Sequence, residues 1–134
     1  MQRIEHIGIA VKNLDQAEAI YEALLGTPSY KREEVESEKV ITSFFKAGQK
    51  IELLASTSED GVIAKYIEKR GEGIHHIAFH VDDIYAEMQR LKEAGFTLLQ
   101  DQPKKGADGK LVCFVHPKGT HGVLLELCMD APGL

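Results

Sequence analysis

The chain has 134 residues, 43% of them hydrophobic and 28% charged, which suits one globular domain or two small modules sharing a core. Its net charge of −5 argues against a general nucleic-acid binder, because phosphate contacts need clustered Lys and Arg, yet a local basic patch for an anionic small molecule remains compatible with it. No stretch has the roughly 18–20 apolar residues of a membrane span, no signal-peptide pattern precedes the first strand, and Cys113 and Cys128 stand singly, so a cytoplasmic protein with reduced thiols is expected.

The first strand is read at Ile4–Val11. A helix follows, with Asp15 and Glu18 in capping-box spacing and Ala17, Ile20, Tyr21, Leu24 and Leu25 on its apolar face, ending at Gly26. Three strands come next, near Tyr30–Glu36, Val40–Lys46 and Lys50–Ala55, the last two joined by a turn at Gly48. A linker helix at about residues 60–72 turns Ile63, Tyr66 and Ile67 inward and leaves through Gly71 and Gly73. The second half repeats the order. A strand runs from Ile74 to Val81, and a helix follows with Ile84, Met88, Leu91 and Ala94 at helical spacing. Strands are then expected near Thr97–Gln100, Lys110–His116 and Gly122–Cys128.

The order β-α-β-β-β thus occurs twice, in module one (about 1–57) and module two (about 73–130) of a single domain. Each module alone would leave one sheet face bare. The expected fold is α+β: a curled, partly open eight-stranded sheet around a concave cup, with helices outside.

The sequence itself repeats. Ile4-Glu5-His6-Ile7-Gly8-Ile9-Ala10-Val11 returns 70 positions later as Ile74-His75-His76-Ile77-Ala78-Phe79-His80-Val81. About fifty residues beyond each copy, a glutamate interrupts a leucine-rich strand, at Glu52 and at Glu126. Alternation along a strand puts His6, Gly8 and Ala10 on one face and Ile7, Ile9 and Val11 on the other. His76, Ala78 and His80 likewise share the cup face, while His75 falls on the helix side and is read as structural. Glu52 and Glu126 also have cup parity. A buried carboxylate needs a cation or a hydrogen-bond partner. Two imidazoles and two carboxylates suit a divalent first-row ion such as Zn, Co, Ni, Mn or Fe. His6, Glu52, His76 and Glu126 are therefore the expected metal ligands. His116, His121 and the acidic run Glu33, Glu34, Glu36 and Glu38 are read as solvated. Lys118, at the turn into the Glu126 strand, is the lysine singled out to meet an anionic ligand.

The segments IEHIGIAVKNL, KIELL, IAKYIEKRGEGIHHIAFHVDD and HPKGTHGVLLELC resemble the vicinal oxygen chelate superfamily across essentially the whole chain, and within it the methylmalonyl-CoA epimerase family most of all. The resemblance implies a divalent metal, typically cobalt, at His6, Glu52, His76 and Glu126. It also implies inversion at the carbon between the thioester and the carboxylate of an acyl-CoA, with Glu126 as an acid–base group. The second glutamate of that family falls near Thr42, so His80, Glu36, Glu38 or a water stand open for its role. A glyoxalase I-type lyase shares the ligand set, but its usual arginine falls at Ala10 and its usual acidic turn at Pro117–Thr120. A ring-cleaving dioxygenase needs one ligand fewer, and a non-catalytic binding protein of the fold generally lacks the full set. Both halves lie in one chain, so a homodimer is compatible with the pattern but not needed to assemble four ligands.

Overall fold

The computed structural model describes residues 1–132. Its elements in chain order are β1 (Arg3–Ala10), α1 (Leu14–Leu25), β2 (Lys31–Val35), β3 (Val40–Ala47), β4 (Gln49–Ser56), α2 (Val62–Arg70), β5 (Gly73–His80), α3 (Ile84–Glu93), β6 (Lys104–Lys105), β7 (Lys110–Val115) and β8 (Leu125–Asp130). The expected β-α-β-β-β order is present twice. The chain divides into two compact units, one from His6 to His75 and one of Met1–Glu5 with the chain from His76 onward, so the boundaries fall inside β1 and β5.

In the His6–His75 unit the strand order is β2-β3-β4-β1, with β1 and β4 parallel and the other pairs antiparallel. One face packs against α1, where Val11, Leu14, Phe45, Leu53 and Ala55 are buried with Ala17, Tyr21 and Leu25. The opposite face carries a smaller cluster in which Ala10, Leu54 and Ile63 are buried beside Tyr66 and Ile67 of α2. Ala10 and Val11 thus enter different cores, as alternation requires. The expected inner face of α1 is corrected: Ile20 and Leu24 are 58% and 71% exposed, because Leu14, Ala17, Tyr21 and Leu25 already fill the contact. The helix start is corrected too. Asn13 is the N-cap and accepts from the Gln16 N–H, while Asp15 and Glu18 reach across to the Arg32 guanidinium at 2.5 Å. Gly26 ends the helix at a left-handed φ of 73°, a conformation that suits glycine.

In the other unit the order is β5-β8-β7-β6, with β5 and β8 parallel. Asp83 caps α3 by accepting from the Ala86 N–H, and Ile84, Met88 and Leu91 bury against Val81, Cys113, Val115 and Leu127. Ala94 instead ends the helix and is exposed. The strand expected at Thr97–Gln100 is reduced to a single bridge between Leu98 and Val115, and β6 lies further on at Lys104–Lys105. The Thr97–Gln100 segment runs on through Asp101 and Pro103, and a proline has no N–H to donate to a ladder. Cys113 and Cys128 are buried and are not joined in a disulfide.

Candidate metal centre

The same local device is built once in each unit. In the first, Gly8 of β1 stands opposite Glu52 of β4, so His6, two residues before Gly8, shares a face with that carboxylate. His6 Nδ1 lies 3.1 Å from Glu52 Oε2, with the two residues 4% and 5% exposed. In the second, Ala78 of β5 stands opposite Glu126 of β8, again two residues beyond the histidine. His76 Nε2 lies 3.3 Å from Glu126 Oε1, and both residues are 5% exposed. A glycine and an alanine, both small, are the residues opposite the two carboxylates.

The donor chemistry of each pair fits a divalent ion. Ligands at about 2.1 Å from one ion are separated by about 3.0 Å at right angles and about 3.4 Å at the tetrahedral angle. Both N···O distances, 3.1 and 3.3 Å, fall in that interval. Neutral imidazole and ionised carboxylate are also the forms a metal takes.

Two further layers of the repeat escaped the reading of the sequence. Phe44 on β3 is opposite Glu52, and Phe114 on β7 is opposite Glu126. Phe44 is fully buried, and Phe114 meets the His76 ring edge-on at 5.8 Å. A lysine covers each phenyl ring, Lys31 at 4.7 Å and Lys104 at 5.8 Å from the ring centroid. In the first hairpin the register was within reach, since a short turn at Gly48 sets Lys46 opposite Lys50 and hence Phe44 opposite Glu52. In the second, the β7–β8 connection is long and its register cannot be counted from residue types.

The other candidates sit as follows. His75 packs edge-on against Tyr66 of α2 at 4.7 Å, and burial lowers its pKa to about 4, so it is a neutral packing group. His80 Nε2 is 3.7 Å from Asp82, its Nδ1 is buried without a hydrogen-bond partner, and it stands four residues along β5 from His76. His116 Nδ1 accepts from the Lys118 N–H and caps the short turn Pro117–Gly119, in which Lys118 is exposed. Glu36 and Glu38 form a short turn after β2. Thr42 is 1% exposed on β3. A cleft of about 440 Å³ lies at the C-terminal ends of β1 and β4, lined in part by Lys12, Ser56 and Glu59. No histidine lines it, so it is separate from the His6–Glu52 pair.

No helix among the described residues is long and apolar enough to cross a membrane. Residues 5–114 match the family model of the Glyoxalase/Bleomycin resistance protein/Dioxygenase superfamily. The ethylmalonyl-CoA/methylmalonyl-CoA epimerase of Cereibacter sphaeroides is 42% identical over 128 residues, covering 93% of this chain and 96% of that protein. The mitochondrial methylmalonyl-CoA epimerase of Homo sapiens is 38% identical over 127 residues, covering 93% and 72%. A Streptomyces coelicolor methylmalonyl-CoA epimerase variant, solved in complex with 2-nitronate-propionyl-CoA, superposes with a TM-score of 0.93 at 36% identity, covering 98% of this chain and 96% of that one. The paired β-α-β-β-β fold is theirs. On these matches, and on its twice-built histidine–glutamate pair, the chain belongs to the Glyoxalase/Bleomycin resistance protein/Dioxygenase superfamily and, within it, to the methylmalonyl-CoA epimerases.

Proposed function

We propose that this protein interconverts the (R) and (S) isomers of methylmalonyl-CoA by removing and returning the proton on the carbon between thioester and carboxylate. The observation that carries the reading is the buried histidine–glutamate pair, present once in each repeat in the same register. His6, Glu52, His76 and Glu126 would together hold one divalent ion, cobalt by preference and otherwise zinc, nickel or manganese. When bound, the ion supplies positive charge where negative charge develops on the substrate's oxygens.

The chain's own groups do the rest. Glu126 carries the proton transfer on one face of the carbon, and inversion is completed by protonation from the opposite face. Phe44 and Phe114 back the carboxylates with hydrocarbon, which keeps water from competing for them. Lys118 meets the anionic part of the coenzyme from its exposed turn. We place the enzyme in the cytoplasm, where Cys113 and Cys128 stay reduced.

The test is to load the protein with Co²⁺, add methylmalonyl-CoA in D₂O, and follow the α-proton by NMR. Exchange and inversion above the metal-free control are expected. Absence of exchange, together with conversion of the methylglyoxal–glutathione hemithioacetal, would replace this reading with a lactoylglutathione lyase.

A further inference from the structure

We propose that the cleft at the C-terminal ends of β1 and β4 binds a small aliphatic zwitterion of the amino-acid type, a molecule with an ammonium, a carboxylate and a short hydrocarbon side chain. The residues that line the cleft all belong to the His6–His75 unit, and neither His6 nor Glu52 is among them. Its volume of about 440 Å³ lies in the range of small-molecule sites. One water takes up about 30 Å³ in the liquid, so a lone inorganic ion would fill little of the space.

The strands set the position. β1 and β4 run parallel with Ala10 level with Leu54, and the Val11 N–H donates to the Leu54 carbonyl at 2.9 Å. Carried two residues further, this register sets Lys12 level with Ser56. The chain leaves the sheet there on both strands, toward α1 from β1 and toward α2 from β4. On the α2 side the cleft is lined by Ala64 and Ile67, three residues apart and so on one helix face. Val11, Ala64 and Ile67 together give it an apolar wall.

The lining also carries one cation, Lys12, and one carboxylate, Glu59. Both residues are exposed, and among the described residues neither side chain has an ion-pair or hydrogen-bond partner. The Lys12 backbone is fixed separately, because its N–H donates to Glu72 Oε2 at 2.7 Å. The loop that carries Glu59 is fixed as well. Ser56 Oγ donates to the Ser58 carbonyl, Ser58 Oγ donates to Asp60, and Asp60 pairs with Lys39. A side chain at Gly61 would collide with Ser56 Oγ, so glycine lets this loop close on the end of β4. The backbone of the site is therefore preformed, and its two charges are left for a ligand.

Charge matching selects that ligand. A carboxylate alone would pair with Lys12 and leave Glu59 unmatched, and an amine alone would do the reverse. A zwitterion meets both, and its hydrocarbon covers the apolar wall. Ion pairs to exposed groups contribute little, so a weak, rapidly exchanging complex is expected.

The test is NMR titration of the isotope-labelled full chain with leucine and with its two truncated analogues, isocaproate, which lacks the amine, and isoamylamine, which lacks the carboxylate. Leucine should shift the amides of Lys12, Thr57 and Glu59 saturably, and each analogue should bind about two- to fivefold more weakly, the scale of one exposed ion pair. Lys12→Met should weaken leucine and isocaproate by that factor and leave isoamylamine unchanged. Glu59→Gln should weaken leucine and isoamylamine and leave isocaproate unchanged. Both substitutions lie at exposed positions, so the fold tolerates them. Absence of a saturable shift would overturn the proposal, and so would equal binding of all three probes or leucine affinity unchanged in both variants. Saturable shifts of the same amides by coenzyme A, lost in Lys12→Met, would assign the cleft to a nucleotide tail and overturn it too.

Discussion

Replacing Glu126 by Gln keeps the shape of the side chain and removes its negative charge. Glu126 is 5% exposed and 3.3 Å from His76, so its charge lies in a site where a bound ion would be its natural counter-charge. A ligand present at a hundred times its dissociation constant stabilises the folded state by about 2.7 kcal/mol. For 134 residues the unfolding entropy is about 0.3 kcal/mol per degree, so the parent should gain about 10 °C in Tm on adding Co²⁺. Loss of a direct ligand should weaken binding at least about a hundredfold, more than is typical for a residue that only supports a ligand. At the same Co²⁺ concentration the variant then gains about 0.4 kcal/mol, or under about 2 °C. Without metal, Glu126→Gln should be as stable as the parent or slightly more so, because a neutral amide costs less to bury than a carboxylate. Differential scanning calorimetry with and without chelator measures both quantities. A variant that keeps the full metal-induced shift would show that Glu126 is not a ligand. A metal-free variant several kcal/mol less stable would show that the carboxylate is structural.

Replacing His75 by Gln should lower stability through the lost Tyr66 contact yet leave metal stoichiometry and turnover unchanged; loss of metal would return His75 to the ligand set. Ala78→Val should cost about 1–3 kcal/mol and weaken metal binding, since Ala78 is fully buried opposite Glu126; parental Co²⁺ affinity in a titration would refute the packing argument. Burial raises the Cys113 thiol above its ordinary range. A raised folded-state pKa contributes stability below the unfolded value and loses it as pH rises through the folded one. Stability against denaturation should therefore fall at alkaline pH in the parent and less so in Cys113→Ala; identical alkaline profiles would contradict this.

The strand alternation that separates His6 from Ile7 and His76 from His75 was legible because one-residue parity sends each side chain to a different core. The repeat of a histidine and a glutamate therefore points to both pairs. Packing competition was not legible. Ile20 and Leu24 have helical spacing as good as that of Tyr21 and Leu25, and only the width of the sheet beneath α1 decides which pair is buried. Register across long connections was equally hidden, which is why Phe114 escaped notice although Phe44 could have been counted through its short turn.

The two histidine–glutamate pairs, one from each repeat, are proposed to serve a single ion. Isothermal titration of chelator-treated protein with Co²⁺ tests it most directly. One ion per chain is expected, with the event lost when either His6 or His76 is replaced by Ala. Two ions per chain, each lost with its own histidine, would contradict it, as would no binding at all.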